Sequence, residues 1–123
     1  MIENKKLKDN EKEWLEKMLT VALPFYTDII NQINHAEVSR EYTEYYLRLK
    51  FNVRESEKVL PISTRVPIEM RVFLKNRAPM QFLLHVINGC VSELEAFMAD
   101  SSKISTNIDL KYETVKVLAY FEQ

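Results

Sequence analysis

The sequence predicts an α+β fold, with one or two amino-terminal helices packed on an antiparallel sheet of about five strands. Apolar residues recur at three- and four-residue steps through the first quarter of the chain, and then at steps of two from Tyr46 onward. The single glycine, Gly89, sits between two apolar runs and marks a hairpin turn. With 123 residues, 46% hydrophobic and 28% charged, the chain fits one domain, 1–123, and is too apolar for disorder.

The first helix is expected from the stretch DNEKEWLEKMLTVALPF. Asn10 or Asp9 can cap its free amides, and Glu13 stands three residues after Asn10, the spacing of a capping box. Trp14, Leu15, Met18, Leu19 and Ala22 then form one apolar stripe. Pro24 should stop or kink this helix near Leu23, and a second short helix can follow through Ile33, burying Phe25, Ile29 and Ile33.

Strand periodicity follows. In YYLRLKFNV, Leu47, Leu49, Phe51 and Val53 alternate with polar residues, and AEVSREYT just upstream can add a strand paired with it. In RVPIEMRVFLK, Val66, Ile68, Met70, Val72 and Leu74 make the apolar set. Pro67 has no amide donor, so its strand is expected at an edge, or bulged at that point. RESEKVLPIST and DSSKISTN read as loops, and NRAP (76–79) as a turn leading into a strand that begins at Met80. The closing ETVKVLAYFEQ fits a last strand through Val115, Val117, Ala119 and Phe121, or a short helix.

The hairpin in FLLHVINGCVSELEAF can be tested by register, because a one-residue slip exchanges the faces of a strand. A two-residue Asn88-Gly89 turn pairs Leu84 with Glu93 and Phe82 with Glu95, mixing apolar and acidic residues on both faces. A three-residue loop, Ile87-Asn88-Gly89, pairs Val86 with Cys90, Leu84 with Ser92 and Phe82 with Leu94, and leaves one face almost wholly apolar. That register is preferred. It gives Gly89 a backbone role, since a positive φ costs a residue with a Cβ roughly 1 kcal/mol or more. The expected core is Trp14, Leu15, Met18, Leu19, Leu49, Phe51, Ile68, Met70, Val72, Phe82, Leu84, Val86 and Leu94.

Few residues offer chemistry. Lys and Arg number 17 against 18 Asp and Glu, which argues against a dedicated polyanion binder. One glycine cannot build a phosphate-cradling loop, so no nucleotide cofactor is expected. A thiol enzyme needs a cysteine and a histidine on one side of the sheet, whereas the preferred register sends His85 to the polar face and Cys90 to the core. One histidine with Glu93 and Glu95 is a thin ligand set for a metal. No catalytic, cofactor or metal residue is therefore assigned, and an enzyme using His85 and Glu93 ranks behind the binding readings. The lone cysteine, a charged start without a signal-peptide core and the lack of any run near the roughly 18 apolar residues of a membrane span lead to the expectation of a cytoplasmic protein.

The outward residues Tyr46, Arg48, Lys50, Arg71, Phe73, His85, Glu93 and Glu95 are the candidates for partner binding. They mix aromatic and charged side chains, as protein interfaces do. Their acidic members disfavour nucleic acid, although the basic and aromatic members alone could hold it. His85, Val86, Gly89, Leu94 and Glu95 form an HV-x-x-G-x-x-x-x-LE hairpin downstream of a WLEKML helix. In this the chain resembles small bacterial immunity-type proteins of polymorphic or contact-dependent toxin systems, with Cys90 in the turn and a longer polar tail as departures. The resemblance implies a cytoplasmic, non-enzymatic protein that binds and blocks a toxin domain, and the charge balance and the lack of a long apolar run lead to the expectation of no nucleic-acid and no membrane partner. The alternative expectation is a small-molecule-binding domain with an apolar pocket between helix and curved sheet.

Overall fold

The computed structural model describes residues 2–121. Helix α1 spans Asp9–Met18 and runs on into a 3-10 turn at Leu19–Val21, and helix α2 spans Tyr26–His35. Six strands follow: β1 Glu37–Tyr42, β2 Tyr46–Asn52, β3 Ile68–Phe73, β4 Met80–Ile87, β5 Cys90–Met98 and β6 Thr114–Ala119. They form one antiparallel sheet in the order β1-β2-β5-β4-β3-β6. The α+β expectation holds, with six strands in place of about five. The closing segment is a strand, and its last two residues, Glu122 and Gln123, lie outside the described residues.

The helices cover one face of the sheet. Trp14, Leu15, Met18, Leu19 and Ala22 are all buried, as are Ile29, Ile30 and Ile33 of α2. They meet two apolar rows that cross the sheet from strand to strand. One runs Leu49, Leu94, Leu84, Ile68, and the other Leu47, Ala96, Phe82, Met70. The Trp14 and Phe82 rings meet at 5.1 Å between centroids, in a tilted geometry that aromatic pairs favour. Every residue of the expected core is buried. Asn4, itself buried, donates to the carbonyls of Ile33 and Ala36 and so closes the end of α2.

Three local expectations are corrected. The cap of α1 is Lys8, whose N–H donates to Oε1 of Glu11 at 2.9 Å, so neither Asp9 nor the Asn10–Glu13 pair caps the helix. Glu11 is drawn there by Arg40 of β1, which donates to both of its carboxylate oxygens, while the Asn10 side chain reaches the Thr106 carbonyl. A tertiary ion pair has displaced the local capping rule. Pro67, in turn, marks neither an edge nor a bulge. It stands just before Ile68, where β3 begins between β4 and β6, and its carbonyl accepts the Tyr120 N–H at 2.7 Å. The missing amide donor falls outside the ladder, and β1 and β6 are the edges.

The third correction concerns the hairpin. Asn88 (φ 51°) and Gly89 (φ 76°) make a two-residue turn that pairs Ile87 with Cys90 and Val86 with Val91. Ser92 is then left over as a bulge, and below it His85 pairs with Glu93, Leu84 with Leu94 and Phe82 with Ala96. The bulge supplies the exchange of faces that a three-residue loop would have supplied. The apolar face below the tip is therefore as expected, but the tip is reversed: Val91 is buried and Cys90 is half-buried on the other face.

The loop between β2 and β3 folds over this turn and buries Leu60 and Ile62. A Cβ on Gly89 would lie 2.2 Å from Val59 Cγ1 and 2.6 Å from the Leu60 carbonyl oxygen, while Leu60 N–H donates to the Gly89 carbonyl. Gln32 of α2 ties the pieces together. Its amide nitrogen donates to Lys58 and Gly89 carbonyls, and its oxygen accepts the Val91 N–H at 2.7 Å.

Candidate functional site

Alternation along each strand sends every second side chain to the face opposite the helices. That outer face is reached by Arg65 of the β2–β3 loop, and His85, Glu93 and Glu95 are each under a quarter exposed on it. It displays Tyr46, Arg48 and Lys50 from β2, Glu93 and Glu95 from β5, His85 from β4, and Arg71 and Phe73 from β3. All eight residues expected to bind a partner therefore share one face. Strand order splits them into two groups. In the first, Arg48 stands opposite Glu95 and Lys50 opposite Glu93, with His85 on the far side of Glu93. Leu83 and Gln81 of β4 separate this group from Arg71 and Phe73, which lie with Glu69 and Lys116.

The first group is knitted by hydrogen bonds and charge. The Tyr46 hydroxyl donates to Glu41 Oε1 at 2.6 Å, and the Arg48 guanidinium lies 4.7 Å from the centroid of the Tyr46 ring. Arg48 Nη2 is 3.7 Å from Glu95, and His85 Nε2 is 3.2 Å from Glu95 and 3.8 Å from Glu93. Arg48 Nε is buried and finds no acceptor among the described residues. The hydrogen bond from Tyr46 holds the Glu41 carboxyl below its ordinary range, and Lys50 and Arg48 act in the same direction. The same bond pushes the Tyr46 hydroxyl up, because losing its proton would break it. In the second group Arg71 Nε meets Glu69 Oε1 at 2.7 Å.

Glu41 is the member that sequence reasoning missed. Its signal was the alternation of Glu37, Ser39 and Glu41 with Val38, Arg40 and Tyr42, which places it beside Arg48 once β1 pairs with β2.

His85, Glu93 and Glu95 bring one ligand atom each within 4.8 Å of one another, close enough to hold a divalent ion. Their other partners work against that use. Arg65 Nε donates to His85 Nδ1 at 3.3 Å, so the neutral ring keeps its proton on Nε2, the atom that faces the two carboxylates. A metal would have to displace that proton and compete with Arg48 for Glu95. The arrangement reads as a hydrogen-bonded charge network. Cys90 stands opposite Ile87 on this same face, so separation onto opposite faces is no longer the reason to set a cysteine–histidine pair aside.

No helix of the described residues is long and apolar enough to cross a membrane. Comparison of the chain with protein-family models, with curated proteins and with solved structures finds no match.

Proposed function

We propose that this chain is a non-enzymatic protein-binding module of the inhibitor or immunity kind, acting in the cytoplasm, and that the outer face of its sheet meets the partner. The observation that carries this reading is the outer face itself, on which opposite charges alternate from strand to strand. Glu41, Arg48 and Glu95 make one row, and Lys50, Glu93 and His85 the next. Mutual pairing pre-orients these side chains, which lowers the entropy lost when a partner docks. Tyr46, Arg48 and Phe73 are the residue types that anchor protein interfaces. Glu41, Glu69, Glu93 and Glu95 interrupt the basic side chains of this face, so it offers no continuous positive track to a phosphate backbone or an anionic lipid surface, and a protein is the better fit.

The test immobilises the full chain and its Arg48→Glu/Lys50→Glu variant side by side and offers both to extract of the source cells. The expected result is one stoichiometric protein held by the parent chain and retained about tenfold less by the variant. Matching circular dichroism spectra would show that the variant is folded. If no stoichiometric partner appears, or both forms hold it equally, the reading fails.

A further inference from the structure

β6 is the edge of the sheet remote from β1, and the direction of its free backbone groups can be read from its pairing. The Tyr120 N–H donates to the Pro67 carbonyl, one step beyond the Ile68–Ala119 pair. In an antiparallel ladder alternate residues bond to the neighbouring strand, so Leu118, Lys116 and Thr114 also turn their N–H and C=O groups toward β3. Those of Val115, Val117 and Ala119 point away from the sheet. Among the described residues no loop or helix supplies them a backbone partner.

The two edges differ in how they are guarded. β1 carries Glu37, Arg40 and Glu41, and charged side chains keep foreign strands off an edge. β6 reads TVKVLA, with Lys116 as its one charge. On its core side Val115 and Val117 are only half-buried and Ala119 is exposed. Apolar side chains stand free at both ends of this strand. Tyr112, 82% exposed, precedes it, and Leu23, 76% exposed, is close in the chain to Phe25, whose ring meets that of Phe121 at 5.3 Å.

We infer that β6 pairs with β6 of a second copy of this chain, antiparallel about a two-fold axis at Val117, so that one sheet runs through both molecules. Only with Val117 opposite itself do all three outward residues meet one another, Val115 facing Ala119 of the second copy. Charge argues against the neighbouring register, centred on Lys116, which sets two lysines face to face. In the register at Val117, Lys116 stands opposite Leu118 of the second copy, and beside that leucine on β3 is Glu69. Lys116 has no ion pair among the described residues. Two strand spacings, about 10 Å, separate it from this Glu69, within the combined reach of the two side chains. Antiparallel pairing also brings the Leu23 end of one edge to the Tyr112 end of the other. A six-residue edge buries little area, so the dimer is weak and the dilute chain is a monomer with β6 open. The outer face of each copy still points outward, so the pairing stands or falls independently of the proposed partner surface.

Sedimentation of the full chain from micromolar to low-millimolar concentration is expected to show a reversible monomer–dimer equilibrium. Over that range amide exchange should slow at Val115, Val117 and Ala119 and stay unchanged in β1. Val117→Pro removes a donor that faces away from β3, so the fold should be kept, as matching circular dichroism would verify, while dimerisation weakens at least about tenfold. Cross-linking reads the register in a Cys90→Ser background. Lys116→Cys mixed with Leu118→Cys should oxidise to a mixed covalent dimer, since directly opposed residues lie within disulfide range. Lys116→Cys alone should not, because its own copy sits on the diagonal, about 7–8 Å away. A chain monomeric at every concentration overturns the proposal and leaves the edge to a foreign strand, if to any. So does a dimer that Val117→Pro leaves unchanged, or Lys116→Cys linking to itself as readily as to Leu118→Cys.

Discussion

Gln32 is 1% exposed, and its amide joins three separate stretches of chain: the carbonyls of Lys58 and Gly89 and the N–H of Val91. Gln32→Leu keeps the bulk but takes the side-chain partner from the Lys58 carbonyl and the Val91 N–H, while the Gly89 carbonyl keeps only the Leu60 N–H. Denaturant unfolding should show a loss of about 2–4 kcal/mol, against under about 0.5 for the exposed neighbour Asn31→Ala. At Gly89 two constraints coincide, a positive φ and the approach of Val59 and Leu60. Gly89→Ala should therefore cost more than about 1 kcal/mol that a left-handed residue alone would cost. Glu41 answers to pH. Its folded pKa lies below the ordinary 4.5, so its contribution is complete above that value and is lost as acid titrates the folded carboxylate. In Tyr46→Phe the largest cause is gone, and the Glu41 midpoint, followed by carboxyl NMR shifts, should move up.

At the scale of elements, α1 shows how a local rule yields to a distant partner. The apolar stripe from Trp14 to Ala22 depends only on helical spacing and was legible in the sequence. The cap was not, because the carboxylate that makes it is chosen by Arg40, 29 residues away on β1. Glu11 is almost wholly buried in that pair, and the bond holds the Arg40 guanidinium more firmly charged. Glu11→Ala should cost about 2–4 kcal/mol in thermal or denaturant unfolding, since it strands a guanidinium, whereas Glu13→Ala should cost under about 0.5. Glu11→Met/Arg40→Met should recover most of the loss. The β4–β5 hairpin teaches a related lesson. Side-chain alternation told which residues of 80–86 and 94–98 share the core face, because parity alone decides that. It could not tell a three-residue loop from a two-residue turn plus a bulge at Ser92, since both change parity by one.

Over the whole molecule, the outer-face residues were legible one strand at a time, but their grouping was not. The β2–β5 pairing brings Arg48 to Glu95 and Lys50 to Glu93 across more than forty residues of intervening chain, and no local pattern encodes it. Strand order also sets a gradient of stability. β4 and β5 are each hydrogen-bonded on both sides and carry buried residues along most of their length, whereas β1 and β6 are edges with mostly exposed or half-buried side chains. Native-state amide exchange should be slowest at Phe82, Leu84, Leu94 and Ala96, and fastest among strand amides in β1 and β6.

Hairpin tips are ordinarily where a chain accepts extra residues, and where epitopes, fluorophores or new termini are engineered. The tip at Asn88-Gly89 is closed to such use. Leu60 lies bonded across it and Gln32 holds it from beneath, so an insertion there would pry the β2–β3 loop away from α2. The bend at Arg54, Glu55 and Ser56, whose three side chains are all exposed, is the opening that the fold leaves for a graft. A tag placed there would leave the Arg48–Glu95 face of the sheet intact.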